Sequence, residues 1–263
     1  MDAFEFIARA AVTEAGERLR AVWRGSKPVE YKGPVDLVTA TDREIEALIV
    51  TRIRAAFPDH LIVAEEASAG TSPQRPAADQ YAWYLDPLDG TVNFAHGHPH
   101  FCVALALARG PEVQLGIVHD PVRNETWFAE RGRGATLNGA PITVSAVTDL
   151  GAALIATGFP YDRRSRADYY LGFVAEFMRR SRDLRRAGSA ALDLCYVACG
   201  RCDGFWEWHL KPWDTAAASL IVQEAGGTVS NFSGDTFDLY GEQTLASNGW
   251  LHAAMLEVLG KRL

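Results

Sequence analysis

Trp83-Tyr84-Leu85-Asp86-Pro87-Leu88-Asp89-Gly90-Thr91-Val92-Asn93-Phe94 is the stretch on which the reading of this chain turns. Tyr81–Leu85 is apolar and aromatic and reads as a strand that delivers Asp86 at its carboxyl end. Pro87 has no N–H for a ladder, so the strand is expected to stop before it. Asp89 comes three residues after Asp86. Two carboxylates brought together in this way repel unless a cation lies between them, and hard oxygen ligands suit Mg²⁺ rather than zinc. The Leu88 carbonyl, outside any ladder, is a further candidate oxygen ligand. Gly90 and Thr91 open what reads as a short helix, where backbone N–H groups make an anion site. Metal carboxylates beside a phosphate cradle are what phosphoryl transfer to water requires. Asp, Pro and Gly are equally favoured in turns, so Asp86–Gly90 on its own also reads as a plain turn.

Two more acidic sites tip the balance towards chemistry. Leu61–Ala64 reads as a strand that runs into Glu65-Glu66, where the fold itself has no need of paired acids. Trp213-Asp214 opens a helix over Trp213–Ala225, so Asp214 can cap it or reach a metal. That helix is expected to close at Gly226-Gly227. Upstream, Asp2–Trp23 carries Phe4, Ile7, Ala8, Ala11 and Ala15 on one helical face. A second helix, capped by Thr41 or Asp42, buries Ile45, Leu48, Ile49 and Ile53 and ends at Phe57-Pro58. Ala67–Gln80 reads as a loop. Strands are expected at Phe101–Ala108, Val113–Val118 and Thr126–Glu130, with a hairpin at Asn138-Gly139. From about residue 145 helices and strands alternate: strands Ala153–Thr157, Gly204–His209, Thr228–Asn231 and Thr244–Ser247; helices Arg166–Arg180 and Ser189–Cys199 and one from Gly249. A division into 1–145 and 146–263 follows: an α+β part with the metal and phosphate motifs, then an α/β part with the substrate contacts and Asp214.

The chain has 263 residues, 26 Lys+Arg against 33 Asp+Glu, a formal charge of −7, and 48% hydrophobic residues, which excludes disorder as a whole and argues against wholesale coating of nucleic acid. No apolar run approaches the ~20 residues of a membrane span, and Met1–Ala10 lacks a basic-then-apolar leader pattern, so a cytoplasmic protein is expected. Cys199-Gly-Arg-Cys202 is a CxxC without a second pair, and it closes a helical pattern, so buried reduced thiols are expected there.

WYLDPLDGTVNF, residues 83–94, closely resembles the first signature of the inositol monophosphatase family, and Trp213–Gly227, WDTAAASLIVQEAGG, resembles its second. Ala64-Glu65-Glu66 and Val35–Asp42 match in the same order, so the resemblance runs from about residue 4 to the C-terminus. It implies the layered αβαβα sandwich shared with fructose-1,6-bisphosphatase, an α+β/α/β fold. By the same resemblance Glu65, Asp86 and the Leu88 carbonyl hold a first Mg²⁺; Asp86, Asp89 and Asp214 hold a second; and Glu65 helps with a weaker third. The Gly90 and Thr91 N–H groups bind phosphate. The Thr91 hydroxyl, oriented by Asp42, positions the attacking water. Asp89, Gly188, Ser189, Ala190 and Glu207 face the alcohol part of the substrate, with Glu66 a neighbour. Ala218 and Ala64 stand where the family usually has Gly, and neither supplies a ligand. Lys32 falls near a family lysine at different local spacing and is left out of the site.

The resemblance implies a homodimeric, lithium-sensitive inositol-1-monophosphatase. Histidinol-phosphate, fructose-1,6-bisphosphate and nucleotide 3′-phosphate phosphatases are alternatives on the same scaffold. His96, His98 and His100 alternate, but Gly97 and Pro99 break the strand a zinc site would need, so they read as a loop beside the active site. Glu207, between Trp206 and Trp208, is costly there unless paired or used. Arg179, Arg180, Arg182, Arg185 and Arg186 are a dense basic stretch, readable as a solvated helix end, as an attractor of phosphate, or as a contact for RNA or a transcription complex.

Overall fold

A computed structural model describes residues 3–25, 29–31, 37–68 and 70–260 of the chain. Lys32, Val35 and Asp36 lie outside the described residues. In chain order the elements are α1 (Ala3–Val22), β1 (Val29–Tyr31), β2 (Leu37–Thr39), α2 (Ala40–Ala56), β3 (Leu61–Ala64), β4 (Tyr81–Asp89), α3 (Thr91–Ala95), β5 (Cys102–Arg109), β6 (Glu112–Asp120), β7 (Glu125–Glu130), β8 (Ala135–Leu137) and β9 (Ala140–Ile142). They continue with β10 (Leu154–Thr157), α4 (Ala167–Arg180), β11 (Asp183–Arg185), α5 (Ala190–Ala198), β12 (Gly204–Trp208), α6 (Pro212–Glu224), β13 (Thr228–Ser230), β14 (Gln243–Ser247) and α7 (His252–Gly260).

Strands β3 to β9 form one sheet in sequence order, antiparallel except for the parallel β3–β4 pair, and β11-β10-β12-β14-β13 form a second, mixed sheet. On the outer face of the first sheet, α1 and α2 bury Ala8, Ala11, Val12, Ala15 and Leu19 with Ile45, Ile49 and Ile53, the three-and-four spacing of an amphipathic helix. Between the sheets lie α5 and α6, touching strands of both. The burial of α6 is correspondingly all-round: Trp213 and every residue from Thr215 to Val222 are buried. Behind the second sheet, Tyr170, Phe173 and Phe177 of α4 and Met255, Val258 and Leu259 of α7 close a core with Trp206, Trp208 and Phe232. The result is the expected five-layer α/β/α/β/α sandwich.

Small residues set the thickness of its inner layers. A Cβ on Gly116 of β6 would overlap the Ala217 carbonyl oxygen and stand 2.9 Å from its Cα, so glycine on the strand and alanine on α6 allow near backbone contact. At Asn138-Gly139 both residues take positive φ (51° and 81°), the pairing of a two-residue hairpin turn between β8 and β9. Helix α6 stops as expected, with Gly226 at φ 90° beyond its cap.

Four expectations need correction. The cap of α2 is Thr39, not Thr41 or Asp42; Asp42 lies three residues on and accepts the Thr39 N–H at 2.9 Å. Strand β4 does not stop before Pro87 but runs to Asp89, the missing donor being absorbed by a register shift between Asp86 and Asp89. Glu66–Ser68 is a single 3₁₀ turn that overlaps the start of the expected loop, Ala67–Gln80. The Arg179–Arg186 stretch is not one helix end, because β11 interrupts it. Arg179 and Arg180 pair with Glu176, Arg180 also with Glu257, and Arg185 with Asp183.

Candidate active site

Strand β4 carries the acids to its end. Asp86 is buried, with its Oδ1 accepting the Leu88 N–H at 2.9 Å, so the irregularity around Pro87 fixes the carboxylate. Asp89 is held from the other half of the chain: its Oδ2 accepts the Ser189 hydroxyl and the Ala191 N–H, each at 2.7 Å, at the start of α5. Asp214, three residues beyond the Lys211 cap of α6, accepts the Lys211 N–H on Oδ2 at 2.7 Å, so it caps the helix with one oxygen while lining the cavity. Glu65 follows β3 and keeps the sheet pairing through its N–H to the Leu85 carbonyl at 3.1 Å. The turn after it is pinned by Glu46 of α2, whose carboxylate accepts the Glu66 and Ala67 N–H groups at 2.8 and 2.9 Å.

Gly90 takes φ 96°, which lets the chain leave the strand and start α3 immediately with Thr91. The Thr91 hydroxyl stands 3.1 Å from Asp42 Oδ1 and 3.1 Å from the Leu88 carbonyl. The hydroxyl has one proton to give to either of these acceptors, and in both cases Thr91 Oγ1 keeps a lone pair for another donor. Glu65, Asp86, Leu88, Asp89, Gly90, Thr91, Gly188, Ser189, Ala190, Glu207 and Asp214 all line one cavity of about 190 Å³. Asp42 supports Thr91 from behind.

The electrostatics are those of crowded like charges. Burial, then the Glu65, Asp89 and Asp214 carboxylates, push Asp86 well above the usual carboxylate range. Burial raises Asp89 against the stabilising Ser189 and Ala191 bonds, and it lifts Asp214 to about 8 against the Lys211 N–H. Among the described residues no three His, Cys, Asp or Glu side chains close on a common point as a finished cage. The donors nevertheless fit Mg²⁺: all are hard oxygens, each of the three aspartates is oriented by a backbone N–H, and their mutual repulsion is relieved by a cation.

At the other end of the cavity Glu207 is buried and lifted to about 8 by desolvation, with Arg186 opposing. Gly158, just past β10, leaves the room it occupies, since all three atoms nearest a Cβ there belong to the Glu207 carboxyl group. Arg186 lines this cavity while remaining exposed. Of the three histidines, His96 and His98 are exposed and His100 is buried, so they do not converge. All four cysteines are free thiols, three of them buried.

Some contributors carried no readable signal. Asn93 of α3 donates through Nδ2 to the His100 carbonyl at 2.7 Å and the Ala187 carbonyl at 2.9 Å, tying the loop before β5 to the loop before α5. Asp193 and Arg163 also line the cavity. An asparagine whose partners lie 7 and 94 residues away has no local pattern to betray it.

The model of the inositol monophosphatase family matches residues 1–261. The chain belongs to that family. Inositol monophosphatase 2 of Solanum lycopersicum is 41% identical over 99% of both chains. Nus factor SuhB of Escherichia coli K12 is 42% identical over 95% of this chain and 93% of its own. The solved inositol monophosphatase of Anabaena superposes with a TM-score of 0.87 at 37% identity, over 98% of this chain and 95% of that one. As a family member this chain takes the phosphatase class and the sandwich fold as findings. No helix among the described residues is long and apolar enough to cross a membrane.

Proposed function

We propose that this member of the family is a Mg²⁺-dependent phosphomonoesterase that hydrolyses inositol monophosphate to inositol and phosphate. The observation that carries the reading is the cluster of Glu65, Asp86, Asp89 and Asp214 in one small cavity beside the Thr91–Asp42 bond. Glu65, Asp86 and the Leu88 carbonyl would hold one Mg²⁺, Asp86, Asp89 and Asp214 a second, and Glu65 would share a third. Bound there, Mg²⁺ supplies Lewis-acid polarisation of the phosphate, a lowered pKa for the attacking water and neutralisation of the leaving alkoxide.

The chain's own groups do the rest. Gly90 and Thr91 N–H groups receive phosphate oxygens at the start of α3. Thr91 Oγ1, whose proton goes to Asp42 or the Leu88 carbonyl, accepts a hydrogen bond from the attacking water and sets its line of approach. Asp89, Gly188, Ser189, Ala190 and Glu207 surround the alcohol. The metal and phosphate groups come mostly from 1–145, while Asp214 and most alcohol-side groups come from 146–263, so the reaction takes place across that division. Phosphate release from inositol 1-phosphate, measured beside histidinol phosphate, fructose 1,6-bisphosphate and a nucleotide 3′-phosphate with Mg²⁺ and with EDTA, tests it. A preference for another ester replaces the substrate, and full activity in EDTA removes the metal. A homodimer belongs to the proposal and is read by light scattering.

The name of the E. coli relative supports a second reading, a transcription-complex or RNA contact. Within the Arg179–Arg186 stretch, Arg179, Arg180 and Arg185 are paired with carboxylates and Arg186 lines the cavity, while Arg182 and Arg186 are exposed.

A further inference from the structure

Behind the cavity wall stands a polar pair that the proposed reaction does not use. Asp193, one turn into α5, lines the cavity and is 2% exposed, while His100, on the loop before β5, is 5% exposed and lies behind it. His100 Nε2 is 3.9 Å from Asp193 Oδ1 and has no hydrogen-bond partner of its own. The imidazole is fixed in place: its ring meets Tyr196 edge-on at 5.8 Å, and its backbone carbonyl accepts from Asn93 Nδ2 at 2.7 Å.

A buried ring nitrogen left unpaired is costly, and the Asp193 carboxyl is the polar group the structure sets beside it. The ring nitrogen therefore has reason to take one Asp193 oxygen as its partner, which would leave the other for the cavity that Asp193 lines. Glu207 and Asp89 are the neighbouring carboxyls and Arg186 the neighbouring cation. Around His100 stand Asp120, Arg123 and His98. Burial favours the uncharged form of both partners: it raises Asp193 and lowers His100 to about 4. A neutral pair holding one hydrogen bond between its members still presents a polar atom to an alcohol.

We propose that Asp193 is a specificity-determining residue that hydrogen-bonds a hydroxyl of the leaving alcohol, and that His100 is a positioning residue that holds the Asp193 carboxyl towards the cavity. The inference rests on the phosphatase reading above and adds to it a residue that reads a further hydroxyl of the leaving alcohol. A site built to pair a hydroxyl discriminates strongly against an alcohol that lacks one, because its own buried polar group is then left bare.

The test compares wild type with Asp193→Leu, His100→Phe and His100→Gln on inositol 1-phosphate and on 4-nitrophenyl phosphate, whose leaving group has no hydroxyl to read. Asp193→Leu is expected to raise KM for inositol 1-phosphate roughly tenfold or more, with kcat nearly kept, and to erode the preference for it over the aryl ester by the same factor. His100→Phe keeps a ring against Tyr196 but loses the nitrogen, and is expected to move KM in the same direction. His100→Gln, which can still donate, is expected to stay within about threefold of wild type. Calorimetric binding of inositol 1-phosphate reads the same order without turnover, and melting curves identify any variant that fails to fold. Equal losses on both esters, or His100→Gln behaving like His100→Phe, overturn the inference. Wild type that neither binds nor cleaves inositol 1-phosphate overturns the substrate reading and this inference together. Wild type that does both while the variants keep its selectivity overturns this inference alone.

Discussion

Replacing Gly158 by Ala puts one methyl group into the space held by the Glu207 carboxyl. The backbone there is not in the left-handed region, so the substitution tests packing and nothing else. All three nearest atoms are the carboxyl end of a single side chain, so the methyl fits only if that group retreats by more than about 1 Å to ordinary contact distance. Overpacking of this kind costs roughly 1–3 kcal/mol, a loss of a few degrees in Tm for a chain of this size. The larger effect is expected in catalysis. With Glu207 displaced, kcat/KM for inositol 1-phosphate should fall about tenfold, near 1.4 kcal/mol, while 4-nitrophenyl phosphate changes little. Glu207→Gln should give a similar kinetic loss without the loss of Tm. The double variant should be scarcely worse than either single one, because both act on the same contact. Steady-state kinetics on the two esters and calorimetric melting decide it. A Gly158→Ala protein with wild-type KM and Tm, or losses that add in the double variant, would refute the reasoning.

Asp86→Asn is expected to abolish Mg²⁺-dependent phosphate release, since several kcal/mol of charge stabilisation pass through that carboxylate, and to raise the Tm of the metal-free protein by removing one of the crowded charges; activity and melting in EDTA check both. Thr91→Ala should lower kcat far more than it raises KM, because the backbone N–H survives and the hydroxyl beside Asp42 does not; a change confined to KM contradicts the role in placing water. Li⁺ is expected to inhibit uncompetitively with respect to substrate, and a purely competitive pattern counts against its entry after turnover. For pH, Glu207 is raised to about 8 from an unfolded value near 4.5, so the folded state binds the extra proton between those values. Its contribution to stability is full below about 4.5, is lost progressively up to about 8, and changes no further above; metal-free Glu207→Gln should show a flatter fall of Tm over that window.

The parts of the fold that were legible in the sequence are those whose cause is local. Asn138-Gly139 is a turn because those residues tolerate positive φ, and α6 ends at Gly226 for the same reason. The acidic clusters were legible because nothing in strand or helix formation asks for Glu65, Asp86 or Asp89 where they stand. Pro87 misled, because the rule that proline ends a strand ignores a bulge that takes up its missing donor. The cap of α2 was misplaced by two residues because Thr39, Thr41 and Asp42 are all good cap residues, and only the folded chain shows which one meets the helix. The three-residue β11 was hidden inside a run of arginines, since a short strand is decided by its neighbour β10 and not by its own composition. Asn93, Gly158 and Asp193 carried no local signal because each acts on a partner distant in the chain: Asn93 on the Ala187 carbonyl, Gly158 on Glu207 of the neighbouring strand, and Asp193 beside His100.

The near-contact of Gly116 with Ala217 sits one helical turn from Asp214 and, along β6, two residues from Val118, which faces Ala104 and through it Asp86. Helix and sheet touch there, about 5 Å along α6 from Asp214, and about 7 Å along β6 plus two strand spacings, some 10 Å, across the sheet from Asp86. The spacing between the strand-borne Asp86 and the helix-borne Asp214 is thus gauged by a contact containing no charge at all. A methyl group added at Gly116 would act as a shim, prising α6 from β6 and widening the interval that a proposed small divalent ion would have to span. Tolerance for ion size in such a site is a property of how thinly its apolar layers are laminated, so mutations that change metal preference need not fall among the carboxylates.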